Sequence, residues 1–364
     1  MRRFMWIIII VLFVMPMMGA FAQPLAPLPH LSQTETETPS SSFPTVYDGS
    51  TVVNTVIATA TPINDEMSEK DYLSDAYLND VRGVDYSPNG LYALASSFDS
   101  NLYLYDIQTF EQVRVFSGHT DWVFNADFTQ DGTMMASASA DDTIRIWDVN
   151  SATTLHILDA HDGSVTNVAF SPDDTLLVST GQDNQVIVWD TSTWTILHRL
   201  DGHQDRVWDV SFSPDGAFFV TVSTDETAIV WDTADFSSVA TLDEHEGMVI
   251  SVEYSPDGQF ILTGSHDGSA ILWDAVTFAP IRAYRASITG AMMDVVFSSD
   301  MHYIATAHLA GNVYVWTVDG EPVATHIGHT GASVSAVQFS PDGLTFLSGA
   351  DDGKMLLNSV WLDG

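Results

Sequence analysis

The sequence predicts an all-β fold, a ring of seven four-stranded blades, on three observations. A turn signature recurs seven times. It runs from Ser87-Pro88-Asn89-Gly90 through Thr129-Gln130-Asp131-Gly132, Ser171-Pro172-Asp173-Asp174, Ser213-Pro214-Asp215-Gly216 and Ser255-Pro256-Asp257-Gly258. A weakened copy, Ser298-Ser299-Asp300-Met301, precedes the last, Ser340-Pro341-Asp342-Gly343, and every step is 42 or 43 residues. A period of about 40–45 residues is that of a propeller blade built from four short strands. Between the turns lie short β-branched and aromatic runs, and no segment keeps a helical hydrophobic period.

One copy shows the elements in order. Residues 207–212 form the first strand and Pro214-Asp215-Gly216 turns the chain. Residues 217–223 form the second, Asp225 lies in the next turn, 228–231 form the third, and 195–200 of the preceding copy illustrate the outer strand. One such sheet cannot bury both faces alone, whereas seven stacked around an axis bury each face on a neighbour.

Composition sets the limits. The 364 residues are 45% hydrophobic and 16% charged, a globular balance. There are 48 acidic residues against 11 basic, a formal net charge of −37. Such a surface repels phosphate backbones and anionic lipid, so nucleic acid is not expected as a partner. Cysteine is absent, which excludes disulfides, zinc–thiolate sites, iron–sulfur clusters and thiol nucleophiles. The acid excess exceeds what the repeat requires. It suits solubility in a salty or exposed setting, or alternatively a basic partner or loosely bound cations.

The amino end reads as an address. Arg2 and Arg3 precede an apolar run over 4–18, and Ala20-Phe21-Ala22 supplies a small-x-small cleavage pattern before Gln23. The run is shorter than the roughly 20 residues that span a bilayer, and Pro16 interrupts it. Residues 1–22 are therefore expected to be a cleaved signal peptide. No stable membrane insertion is expected afterwards, and the location is secreted or periplasmic. Residues 23–66, rich in Pro, Ser and Thr, read as a disordered linker. The β-prone patch 52–59 stands out within it. Residues 67–364 are expected to form the propeller.

The repeat also resembles a known family. Gly118-His119, Gly202-His203 and Gly328-His329 recur, with His161 and His245 at equivalent places. Trp-Asp closes the third strand at Trp147-Asp148, Trp189-Asp190, Trp231-Asp232 and Trp273-Asp274, with Tyr105-Asp106 in the first copy. This is similar to the WD-repeat family over about residues 81–360. The resemblance implies a seven-bladed propeller whose last blade is completed by the opposite chain end. That outer strand is expected from 67–80, with 52–59 as the rival. The resemblance also implies a structural tetrad of His, Ser or Thr, turn Asp and strand Trp. Its members are expected to be His119, Ser139, Asp141 and Trp147; His203, Ser223, Asp225 and Trp231; and His245, Ser265, Asp267 and Trp273. Gly181 departs from this in copy three. Ser287, His308 and Ala310 depart in copy six, which keeps Trp316. Ala350 and Asn358 depart in copy seven, beside His329 and Asp352. Blade six is thus expected to open most easily or to be specialised for a partner.

Polar clusters that recur in every blade read as bracing, not catalysis, because an active site requires one convergent cluster. Ser265-His266-Asp267 sets a triad's letters on alternating strand faces. Asp243-Glu244-His245-Glu246 lacks a second His for zinc. The Asp-Gly pairs lack a full calcium ligand set. No catalytic residue, metal or cofactor is expected. On the innermost strand, apolar positions step by three, as at Val123 and Ala126 or Val207 and Val210, where a plain strand steps by two. A bulge is implied, aiming the intervening residues at the mouth of the axial channel. Partner-binding candidates are Arg82, Trp122, Phe124, Arg206, Trp208, Asp209, Ile250 and Met293. The expected function is a monomeric, exported, non-catalytic scaffold for an unidentified protein or peptide. The alternatives are an envelope- or carbohydrate-binding propeller, or a hydrolase sited in the channel.

Overall fold

Each Ser-Pro-Asp-Gly turn is held by its own residues. In the copy at 213, the Ser213 hydroxyl donates to Asp215 Oδ1 at 2.7 Å and accepts the Phe218 N–H at 2.9 Å. Gly216 N–H closes the turn on Ser213 O at 2.8 Å, with φ at 69°. That left-handed geometry explains the glycine. In the weakened sixth turn Met301 adopts the same geometry at φ 59°, a strained choice for a residue with a Cβ.

The computed structural model describes residues 54–58, 80–286 and 290–360. Its regular elements there are all strands. Blade one comprises Val81–Tyr86, Tyr92–Ser97, Asn101–Asp106 and Gln112–Ser117, paired antiparallel in chain order. Five further blades repeat this order, with innermost strands Val123–Phe128, Val165–Phe170, Val207–Phe212, Val249–Tyr254 and Met292–Phe297. Blade seven contributes Val334–Phe339, Thr345–Ala350 and Met355–Ser359, three strands among the described residues. The fold is an all-β seven-bladed propeller, as the repeat period predicts.

The core lies between blades. One cluster joins Val220, Val222 and Val230 of blade four to Val249, Val252 and Trp273 of blade five. The ring closes in the same way. Val81, Val84 and Tyr86 of blade one pack with Ala336, Leu347 and Met355 of blade seven. The approach is close: a Cβ on Gly349 would stand 2.6 Å from Val81 Cγ1.

The last blade's fourth strand is where expectation and structure part. Of the segment 67–80, only Asp80 lies within the described residues. The rival patch does form a strand, Asn54–Ala58, but it runs parallel to Pro280–Ala286 on the outer edge of blade five. It does not complete blade seven. β-propensity makes a strand without choosing its partner, and every blade offers an outer edge. The expected signal peptide, and the linker apart from Asn54–Ala58, lie outside the described residues.

Candidate functional site

The bracing network is built at the loop entering blades two, three, four, five and seven. In blade two, Trp147 Nε1–H donates to Ser137 Oγ at 2.8 Å, and Ser137 Oγ lies 2.7 Å from His119 Nε2. His119 Nδ1 lies 2.8 Å from Asp141 Oδ2, which also accepts the Thr120 N–H at 2.9 Å. One direction satisfies every group: indole to hydroxyl, hydroxyl to Nε2, Nδ1–H to carboxylate, with a neutral imidazole. Burial lowers the His119 pKa against the pull of Asp141. Burial pushes the Asp141 carboxyl up. Hydrogen bonds from His119, Thr143 and Thr120 outweigh this and hold it well below the usual range.

The hydroxyl in this chain corrects the expected assignment. It is Ser137, Thr221 and Thr263, not Ser139, Ser223 and Ser265. Ser139 instead donates to Asp121 O and accepts the Asp141 N–H, capping the turn, as Ser223 and Ser265 do in their blades. Strand register is the reason. Trp147 faces Met135, so its indole reaches the diagonal same-face position, Ser137. Position 139 is two residues further along the same face.

The correction changes which blades are irregular. Blade three is complete, through His161, Ser179, Asp183 and Trp189. Its Gly181 occupies the capping position, where a Cβ would stand 2.5 Å from His161 Nδ1. In blade six, His308 reaches back along its own strand to Thr306 at 3.0 Å, and Trp316 donates to the same hydroxyl at 3.2 Å. Burial pushes the His308 pKa down to about 4, so this imidazole is neutral. In blade seven Asn358 replaces the indole, donating to Ser348 Oγ at 3.1 Å beside His329. Asp225→Ala is expected to cost about 1–3 kcal/mol in chemical denaturation, because it leaves the buried His203 Nδ1–H only the long 3.4 Å contact to Thr227 Oγ1.

The innermost strands form the second feature. Pairing shifts register between the first and third residue of all seven, from Val81/Gly83 to Val334/Ala336. The intervening residues, Arg82, Phe124, Thr166, Trp208, Ile250, Met293 and Ser335, line an axial cavity of about 620 Å³. A second tier follows. Asn125 Nδ2 donates to Asn167 Oδ1 at 2.8 Å, and Asn167 donates to Asp209. Ser251 donates to Asp294 Oδ1 at 2.7 Å. The outer oxygens staple neighbouring blades. Asp209 accepts the Val252 N–H and Asp294 the Val337 N–H, both at 2.8 Å. In a third tier Asp127, near the Asp85 carboxyl, accepts the Phe170 N–H at 2.7 Å, and Glu253 accepts the Phe297 N–H. Burial raises these carboxyls, Asp127 and Asp209 to about 7, Asp294 to about 6 and Glu253 to about 8, with Asp85 also well above its usual value.

Six of the eight sequence-chosen residues line the cavity: Arg82, Phe124, Trp208, Asp209, Ile250 and Met293. The other two join it through ring contacts. Trp122, 48% exposed, stacks on Phe98 at 4.2 Å, and Phe98 meets Phe124 edge-on at 5.9 Å. Arg82 lies over Phe98 at 5.2 Å, and Arg206 over Trp208 at 4.7 Å. Sequence reasoning missed Phe98 and the third-tier acids. Phe98 sits just before the turn Asp99, where the other copies carry Ala140, Gln182, Thr224, His266, Leu309 and Asp351. A large aromatic at that one position was the available signal.

A closed ring with internal hydrogen-bond braces and a lined axial cavity is the framework of a binding module. The family model described as WD domain, G-beta repeat matches residues 74–106, 110–148, 152–190, 194–232, 236–274 and 320–357, more than half of the chain. The chain belongs to that family, whose propellers generally serve as protein-interaction scaffolds. The first three strands of blade six fall between the last two matches, and it is the blade in which His308 replaces the loop histidine. A search of curated proteins finds no match.

Proposed function

We propose that this protein is an exported, non-catalytic scaffold that holds a protein or peptide partner over the mouth of its axial cavity. One observation carries the reading. The bulges of blades two, four, five and six aim Phe124, Trp208, Ile250 and Met293 into one cavity, with the Trp122–Phe98 stack, exposed at Trp122, and the Arg206–Trp208 pair at its edge. Large aromatics beside arginine are the usual anchors of binding surfaces. The tetrads support a non-catalytic role, since their imidazoles are spent on internal ties repeated from blade to blade. Export rests on the charged, apolar and small-residue order of 1–22.

The test is affinity capture from the native medium or envelope with the full chain. The Trp208→Ala, Phe124→Ala double variant is expected to lose at least about tenfold of the captured partner. Undiminished capture would overturn the assignment of this face. The outward ring of Trp122 also offers a stacking surface for sugar. Signal on a glycan array that is lost in Trp122→Ala would favour carbohydrate over a protein partner.

A further inference from the structure

The apolar part of the cavity mouth and the acids beneath it lie on the same three blades. Trp208, Ile250 and Met293 of blades four, five and six form a collar. Asp209, Asp294 and Glu253 stand one and three residues further along those same strands. Both sets are half-buried in the wall. None of these three carboxyls takes part in an ion pair among the described residues. Among the described residues Arg82 is the arginine that lines the cavity, and it is engaged elsewhere. Arg82 donates to Ser335 at 3.1 Å and lies 3.8 Å from Asp351, on the side of blades one and seven. The acids also repel one another: the Asp294 charge raises both Asp209 and Glu253, in addition to their burial. With no internal counter-charge, burial keeps part of this set protonated near neutral pH, and an incoming cation would draw the carboxyls into their charged form.

We propose that the occupant of this mouth is a basic segment that threads one lysine or arginine side chain into the cavity. Its methylenes lie along Trp208, Ile250 and Met293, and its cationic head meets Asp209, Asp294 and Glu253. A long-stemmed cation matches this order because its stem is apolar and its charge is terminal. A plain surface cation would find the carboxyls behind the collar, and an apolar side chain would leave them without a counter-charge. The inference rests on the partner-binding reading above and adds the chemistry of the partner.

The probe is a fluorescein-labelled peptide with three lysines spaced by alanine and glycine, titrated by fluorescence anisotropy. The same peptide with acetylated lysines keeps the stem and loses the charge. The Asp209→Asn, Glu253→Gln variant keeps a carbonyl oxygen for the Val252 and Phe297 N–H groups, and its melting curve checks folding. An Asp142→Asn, Asp162→Asn variant removes the same charge from exposed loops. Binding of the lysine peptide is expected to fall at least about tenfold in the cavity variant. It should fall less than about twofold in the loop variant. Equal losses in the two variants, or equal binding of the acetylated peptide, would overturn the inference. The two readings fail separately. Partner capture lost in the aromatic variant but untouched in the cavity variant removes the cation and keeps the face. Selective lysine binding with capture unaffected by the aromatic variant does the reverse.

Discussion

Thr221→Val is expected to destabilise the protein by about 2–4 kcal/mol, although it barely changes the side-chain volume. The Thr221 hydroxyl accepts the Trp231 Nε1–H at 2.8 Å and lies 2.9 Å from His203 Nε2. Valine keeps the volume and removes both partners at once. Each buried polar group left unsatisfied costs about 1–3 kcal/mol, and neither can reach water. Trp231 is 3% exposed and the His203 side chain 0%. Ser223→Ala removes a hydroxyl only two residues away, yet its partners are the Asp205 carbonyl and the Asp225 N–H in a turn near solvent. It is expected to cost about 1 kcal/mol, the net worth of an ordinary hydrogen bond. Urea denaturation of both variants checks the assignment. A larger loss in Ser223→Ala than in Thr221→Val would place the brace at the wrong residue.

Acidification from about pH 8 to about pH 5 is expected to raise the melting temperature, and acidification below about pH 4 to lower it. Two sets of carboxyls with opposite signs produce the maximum, and the lowered His119 and His308 add to the loss on the acid side. The cavity set is raised by burial, to about 7 for Asp127 and Asp209, about 6 for Asp294 and about 8 for Glu253. Between the unfolded values near about 4 and these folded values, the folded state binds more protons than the unfolded one. Stability therefore falls as pH rises through that window. The tetrad set is depressed: Asp141, Asp225 and Asp267 are held well below the usual range by hydrogen bonds that outweigh their burial. Their contribution is present above the unfolded value and is lost as pH falls below it. Calorimetric melts across this range are the check. A melting temperature constant or rising between about pH 5 and about pH 8 would contradict the raised cavity carboxyls. Asp209→Asn, Glu253→Gln should flatten that limb and leave the acid limb in place.

The site shows where reading residues in line succeeds. The step of three on the innermost strands located the bulges, because a local change of backbone period is written in side-chain order. It thereby found Phe124, Trp208, Ile250 and Met293. Residue order does not tell Ser137 from Ser139, because both are hydroxyls on one strand face. Only the pairing of Met135 with Trp147 tells which one lies beneath the indole. The same shift made blade three seem defective at Gly181, although Ser179 completes its network. Asn358 for Trp in blade seven and His308 for the loop histidine in blade six were legible as departures but not as replacements. A substitute is recognised by what it reaches, and reach is a three-dimensional quantity.

By itself, the order of residues determined the number of blades, the short strands and turns, and the acidity, since each follows from local periodicity or composition. Tertiary structure decided the rest. It set which hydroxyl each indole meets, that blade one packs directly on blade seven, and that Asn54–Ala58 pairs with blade five. It also gathered the carboxyls of Asp85, Asp127, Asp209, Glu253 and Asp294, 41 to 82 residues from one to the next in sequence, around one axis. Those outcomes depend on contacts between distant segments, and propensity along the chain carries no information about which distant segment becomes a neighbour.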